Sequence, residues 1–222
     1  NMIKKKRFCI IALVASLCFS FSACDKHIDF PDTAVKPCHI LCTDGKVLPV
    51  EDFEQSDKQA IAVVFHINHD ENIEGNGYAV YLWDLLPSAF ADSLGVEQGT
   101  SADVTAFDGN SNTFALYKSD ETTSPLAQKA FDLWAYGQSA YIPSVAQMRL
   151  LYKVKEYINP IISLCGGDTI PDDADVCWYW TSTEVKGQET DKAWLYSMGS
   201  GTMQETPKLQ AHRARAIITL MD

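Results

Sequence analysis

Residues 4–24 constrain this chain before any fold is considered. Lys4, Lys5, Lys6 and Arg7 make a positive opening, residues 8–21 are an apolar run, and Ser22-Ala23-Cys24 are small residues ending in a cysteine. That is the three-part layout of a secretory leader. The apolar run is shorter than the ~20 residues a membrane-spanning helix needs, so removal of residues 1–23 is the expected outcome. The remainder then folds outside the cytosol. Losing the leader takes away four positive charges and no negative one, which shifts the formal charge from −11 over 222 residues to −15 over 199. No basic stretch follows the leader, so a nucleic-acid partner is not expected.

Phe21-Ser22-Ala23-Cys24 resembles a bacterial lipobox, with Phe21 where Leu is usual. The expectation is a thioether-linked lipid on Cys24, cleavage before it and acylation of the new amine. Each buried acyl CH₂ contributes ~0.8 kcal/mol, so several chains anchor firmly in outer-membrane lipid. Plain secretion with cleavage near Ala23 is the alternative. Residues 24–37 are polar, contain Pro31 and read as a tether; Asp25 and Asp29 fit an acidic sorting signal for the cell surface. Residues 38–222 show no boundary and no repeat. Hydrophobic residues are 46% and charged residues 21%, so one monomeric body can bury ~70% of its unfolded surface without a staple.

Four of the seven cysteines, Cys38, Cys42, Cys165 and Cys177, remain beyond the leader and Cys24. Three pairings are open, with one disulfide at most expected. Cys165 and Cys177 flank a loop whose closure would contribute ~3 kcal/mol. Cys38 and Cys42 sit four apart in a strand, with Cα atoms ~13 Å apart, too far to bridge. His66, His69 and Asp70 form the nearest thing to a metal cluster, but positions three apart on a strand face opposite sides.

The elements follow from pattern. Residues 39–43 read as a strand closed by Asp44-Gly45, and residues 46–49 return. Residues 61–67 are a β-branched run, a buried central strand. Residues 78–85 read as its hairpin partner, and residues 88–94 as a helical turn. Residues 108–112 read as a polar loop. Asp108, Asn110 and Asn112 alternate like half of a calcium loop, but Thr113 and Ser119 break the match, and Asx-turns explain the same residues. Ser124-Pro125 opens a helix with Leu126, Ala130, Leu133 and Trp134 on one face and Gly137 past its end. Ser144 and Gln147 form a capping box. Asn159-Pro160 reads as the cap of a further short helix. Residues 178–183, 193–198 and 214–220 read as strands. Strands, then helices, then strands make the fold α+β.

Tyr141-Ile142-Pro143-Ser144, Trp180-Thr181-Ser182-Thr183-Glu184, Ala193-Trp194, Gly201, Lys208 and Arg213-Ala214-Arg215-Ala216 together resemble one family pattern. It is that of the domain of unknown function 1566 (DUF1566, the Lcl C-terminal domain) and the related Fibrobacter major paralogous domain. Upstream, Asp44-Gly45, residues 60–65, Asp108-Gly109 and Asn112-Thr113 match what precedes this domain in exported lipoproteins of anaerobic Gram-negative bacteria. The resemblance covers residues 38–221. It implies a C-type-lectin-like fold whose first and last strands pair and whose two main helices flank the sheet.

Trp178 and Tyr179 are the expected exposed, sugar-stacking aromatics, whereas Trp180 and Trp194 are expected in the core. Asp168, Asp172, Asp173 and Asp175, with Glu184, form an acidic cluster where a C-type lectin would hold Ca²⁺. The usual ligand triplets are absent, so Ca²⁺ is a weak expectation there and at Asp108, Asn110 and Asn112. Glu184 is expected to pair with Lys208 or Arg213 inside the fold. No catalytic motif occurs, and Cys165 and Cys177 lack the surroundings of a formylglycine-generating site; Asp172 and Glu184 are the sole hydrolytic candidates. The expectation is a non-enzymatic, lipid-anchored surface module, adhesin-like and fimbria-associated, binding a glycan or protein. A structural subunit of an envelope complex is the alternative.

Overall fold

Where the β-branched run was expected to make a central strand, the computed structural model places β3 (Ala60–Ile67), with residues 61–65 buried. The structure describes residues 32–133 and 140–221. The described residues from Ala34 onward form one compact unit. The leader, Cys24, residues 24–31 of the tether, Trp134 and Gly137 lie outside the described residues.

β1 (Ile40–Cys42) and β2 (Val47–Leu48) form the opening hairpin, turned at Gly45 with φ 83°. A short α1 (Val50–Glu54) leads into β3, which pairs antiparallel with β4 (Gly77–Tyr81). The chain then switches sheets: β5 (Leu85–Ala89) lies in a second sheet. Three helices follow, α2 (Gly109–Lys118), α3 (Pro125–Asp132) and, after the short β6 (Ala140–Tyr141), α4 (Val145–Leu164). β7 (Trp178–Glu184), β8 (Lys192–Ser197) and β9 (Met203–Pro207) form a meander. β10 (Ala211–Ala214) stays in the second sheet and β11 (Ile217–Leu220) returns to the first. The first sheet runs β2-β1-β3-β4-β11-β6, all antiparallel, and the second β5-β10-β7-β8-β9, with one parallel pair at β10–β7. The fold is α+β, with two sheets.

Three expectations are corrected. The first and last strands do not pair, because the β3–β4 hairpin stands between them. The strands read at 78–85 and 214–220 are each broken at a sheet switch. Asn159-Pro160 starts no new helix; α4 runs through Pro160. The Asn159 side chain instead holds Ile170, donating from Nδ2 to its carbonyl (2.9 Å) and accepting its N–H at Oδ1 (2.8 Å). Pro160 faces solvent, where a missing helix hydrogen bond is cheapest.

Met148, Leu151, Ile158 and Ile162 recur at helical spacing and bury one face of α4 against Val63, Phe65 and Val80 of the first sheet and Tyr179 and Tyr196 of the second. A second cluster joins α2 and α3 to the other face of the second sheet through Leu116, Leu126, Phe90, Trp180 and Leu195. A third, with Val64, Ala79, Tyr81 and Ile218, buries the remaining face of the first sheet. Among the described residues no helix is long and apolar enough to cross a membrane.

Candidate functional site

Residues 108–112 were read as a polar loop; from Gly109 they open helix α2. Asn112 donates from Nδ2 to Asp108 Oδ1 (2.9 Å), and Thr113 Oγ1 donates to Gly109 O (2.8 Å). These local bonds close the first turn. Gly109 is required there: a Cβ would lie 2.4 Å from Gln147 Oε1 and 2.7 Å from Ile142 O. With Asn112, Thr113 and Leu116 turned inward, Phe114 and Tyr117 are left outward, 52% and 49% exposed. Tyr117 stacks on Phe131 of α3 at 3.9 Å and 18°. Lys118 Nζ sits 5.0 Å from the Phe114 ring centre, within cation–π range. The result is an aromatic ledge on the outer side of α2 and α3.

Beside the ledge lies a cavity of about 280 Å³ lined by Glu74, Asn110, Ser111, Phe114, Phe131 and Tyr141. Asn110, Ser111 and Phe114 share one helix face, being three and four residues apart. Glu74, Asn110 and Tyr141 also line a groove of about 650 Å³, whose walls include Leu41, Val47, Ile67 and Leu220 of the first sheet. The Tyr141 ring is buried, and its hydroxyl is shared with Thr219 Oγ1 (2.6 Å) and accepts from Gln147 Nε2 (3.2 Å). Burial holds that phenol well above its ordinary pKa.

The sequence-derived site residues are placed otherwise. Tyr179 is 1% exposed and offers no ring to a ligand; its hydroxyl donates to Asp84 Oδ2 (3.1 Å). The reason is that β7 lies between β10 and β8, with clusters on both faces, so neither alternate set of its side chains meets solvent. Trp178 is half-buried against both clusters. Trp180 is fully buried, donating from Nε1 to Ser88 O (2.9 Å). Trp194, expected in the core, is only partly buried and lines a second cleft of about 640 Å³ with Asp103, Lys186 and Glu205.

Asp172 is paired with Lys155 of α4, and Asp173 accepts the Asp175 N–H (2.9 Å) in a local turn. Asp108 accepts from Ser101 and Asn112, and Asn112 Oδ1 accepts the Ser101 N–H (3.2 Å), so these oxygens fasten the 101–103 loop to α2. Asn110 alone of that trio lines the cavities. Among the described residues no group of three or more His, Cys, Asp and Glu is placed to hold a metal ion. His66 stacks on Tyr78 at 5.9 Å, and burial lowers its pKa. The candidate staple between Cys165 and Cys177 is not formed, and all four cysteines beyond the tether are free. Cys177 is turned into the β7–β8 pair, 3.3 Å from Ser197 Oγ, whereas Cys165 caps α4, where burial raises its pKa to about 11.

Two buried ionic groups hold the frame. Glu184 and Lys208, 1% and 0% exposed at their side chains, pair at 2.5 Å. Glu184 also accepts from Gln98 N (3.1 Å) and from Thr100 N and Oγ1 (3.3 and 2.8 Å). Lys208 was one of its two expected partners; Arg213 instead pairs with Asp84 (3.1 Å). Arg215 donates to Tyr81 O (2.7 Å), Leu82 O (2.8 Å), Asp168 O (2.5 Å) and Asp84 Oδ1 (2.7 Å). It therefore stands at two of the points where the chain changes sheets, after β4 and before β11.

No family model matches the chain, and no curated protein matches it. Its fold is similar to that of a fimbrial protein from Bacteroides ovatus ATCC 8483. That crystal structure superposes with a TM-score of 0.66 at 15% sequence identity, over 84% of this chain and 49% of that one. The present chain thus spans about half the length of the fimbrial chain. At this identity the likeness concerns the fold. The ledge residues Phe114, Tyr117 and Phe131 were missed in the sequence because residues 109–113 are polar and turn-like. The available signal was Phe114 and Tyr117 at helical spacing ahead of the well-capped α3.

Proposed function

We propose that this chain is a lipid-anchored, surface-displayed binding module associated with fimbriae, whose ligand seats at the ledge and its adjoining groove. The observation that carries this reading is the fold likeness to the fimbrial protein from Bacteroides ovatus over most of this chain. The leader pattern, the acidic body and the exposed aromatic surface support it. The reading includes membership in the DUF1566-like group and a lectin-like topology, in which the returning strand β11 closes on β4 rather than on β1. The protein acts by binding, not by chemistry. Metabolic palmitate labelling combined with protease shaving of intact cells tests it. The wild-type chain takes up label and is shaved; Cys24→Ser is unlabelled and leaves the membrane fraction. Labelling that survives Cys24→Ser, or a chain that shaving never reaches, would refute the reading.

A further inference from the structure

We infer that the ledge is a carbohydrate subsite that takes one neutral hexopyranose unit. This rests on the binding-module reading above and names its ligand class. A pyranose has an apolar C–H face and a rim of hydroxyls, so a site for it needs an exposed ring face beside short polar side chains. Phe114 and Tyr117 supply the first: Lys118 approaches one ring and Phe131 backs the other, and about half of each side chain remains open. Glu74, Asn110 and Ser111 supply the second, on the wall of the same cavity as Phe114. A carboxylate accepts paired hydroxyl donors, an amide both donates and accepts, and a hydroxyl does either.

Volume and charge narrow the choice. The cavity, about 280 Å³, lies at the small end of ligand pockets, which run ~300–1,000 Å³. It suits one sugar ring, with the continuing groove open to the next unit of a chain. The Glu74 carboxylate and the acidic body disfavour uronic and sialic acids. Trp178 and Tyr179, the aromatics singled out by sequence, have no part in the site.

The test is saturation-transfer difference NMR and titration on the full chain in detergent. The probes are the methyl glycosides of α-mannose, β-galactose and N-acetyl-β-glucosamine, with N-acetylneuraminic acid as the anionic comparison. At least one neutral glycoside binds with a Kd on the order of 1 mM, more tightly than the acid. Phe114→Ala weakens binding about tenfold, and Asn110→Ala and Glu74→Gln weaken it several-fold. Tyr157→Ala, which removes a 74%-exposed ring on α4, leaves binding unchanged. Phe114 projects from the surface, so its variant keeps the wild-type melting curve. The inference is overturned if no neutral glycoside binds, if the acid binds as tightly, or if binding survives both Phe114→Ala and Asn110→Ala. It is equally overturned if Trp194→Ala abolishes binding while Phe114→Ala does not. Shaving and palmitate labelling read out separately. A displayed, lipidated chain that binds no glycoside refutes this subsite alone; a glycoside-binding chain that is never displayed refutes the surface reading alone.

Discussion

At the scale of single residues, the buried ions have structural roles that substitution can measure. Lys208 lies in a desolvated setting, giving hydrogen bonds to Glu184 and to Gln98 Oε1 (3.2 Å). Removing one member of a buried pair leaves the other uncompensated, which typically costs about 3–5 kcal/mol, whereas replacing both with apolar residues costs much less. Lys208→Ala is therefore expected to lower the urea-unfolding free energy by about that amount. The double variant Glu184→Leu/Lys208→Met should lose less than Lys208→Ala alone. A double variant that loses the sum of its singles would mean that the two side chains act independently of each other. Glu184 was legible in the sequence as a member of an internal pair through its place, with Lys208 and Arg213, in the family pattern the chain resembles. That Asp84 captures both Arg213 and Arg215 was not legible, since the three meet only when two distant corners close.

Among the elements, the starts of α3 and α4 were the most legible part of the fold, because their signals are local. Ser124 accepts the Ala127 N–H at 3.1 Å, and the Ser144–Gln147 capping box is present in full. Ser144 Oγ also donates to Ala106 O (2.7 Å). Ser144→Ala thus loses a cap and leaves a carbonyl unpaired, a loss of about 1–2 kcal/mol measurable by thermal or urea unfolding. Unchanged stability would show that water replaces both bonds. The sheet switches were illegible for a physical reason. Alternation tells which side of a strand is buried, not which sheet the strand joins, and the pattern from Tyr78 to Leu85 continues without a break. What bends the chain there is Arg215, more than 130 positions away, pulling on the Tyr81 and Leu82 carbonyls. The ledge was hidden similarly: polar residues 109–113 favour turns locally, and only the packing of Asn112, Thr113 and Leu116 beneath makes them helix.

Over the whole molecule, titration couples to stability with one sign from two sources. Burial lowers the pKa of His66 and His212 below the ordinary imidazole value. The unfolded chain then takes up those protons first, so their contribution is intact above pH ~6.5 and is lost as pH falls through the folded values. Asp44, Asp92 and Asp103 are held below the usual carboxylate range, chiefly by side-chain bonds from Lys58, Thr122 and Thr105 respectively. Their contribution is present above ~3.9 and disappears below it. Acidification also relieves self-repulsion of the acidic body, which acts the other way. The urea midpoint measured from pH 8 to 5 separates them. Wild type should lose more stability over that interval than His66→Gln/His212→Gln, and parallel curves would assign the whole effect to net charge.

The strand order carries a mechanical consequence. The polypeptide passes from the first layer to the second after β4, returns for β6, and comes back for good before β11, so neither layer is a continuous length of chain that can peel off alone. Arg215 fastens the first and the last of these crossings at one knot, as a lace is tied through two eyelets. Drag on such a body meets resistance from both layers together, and the fold should give way all at once rather than leaf by leaf.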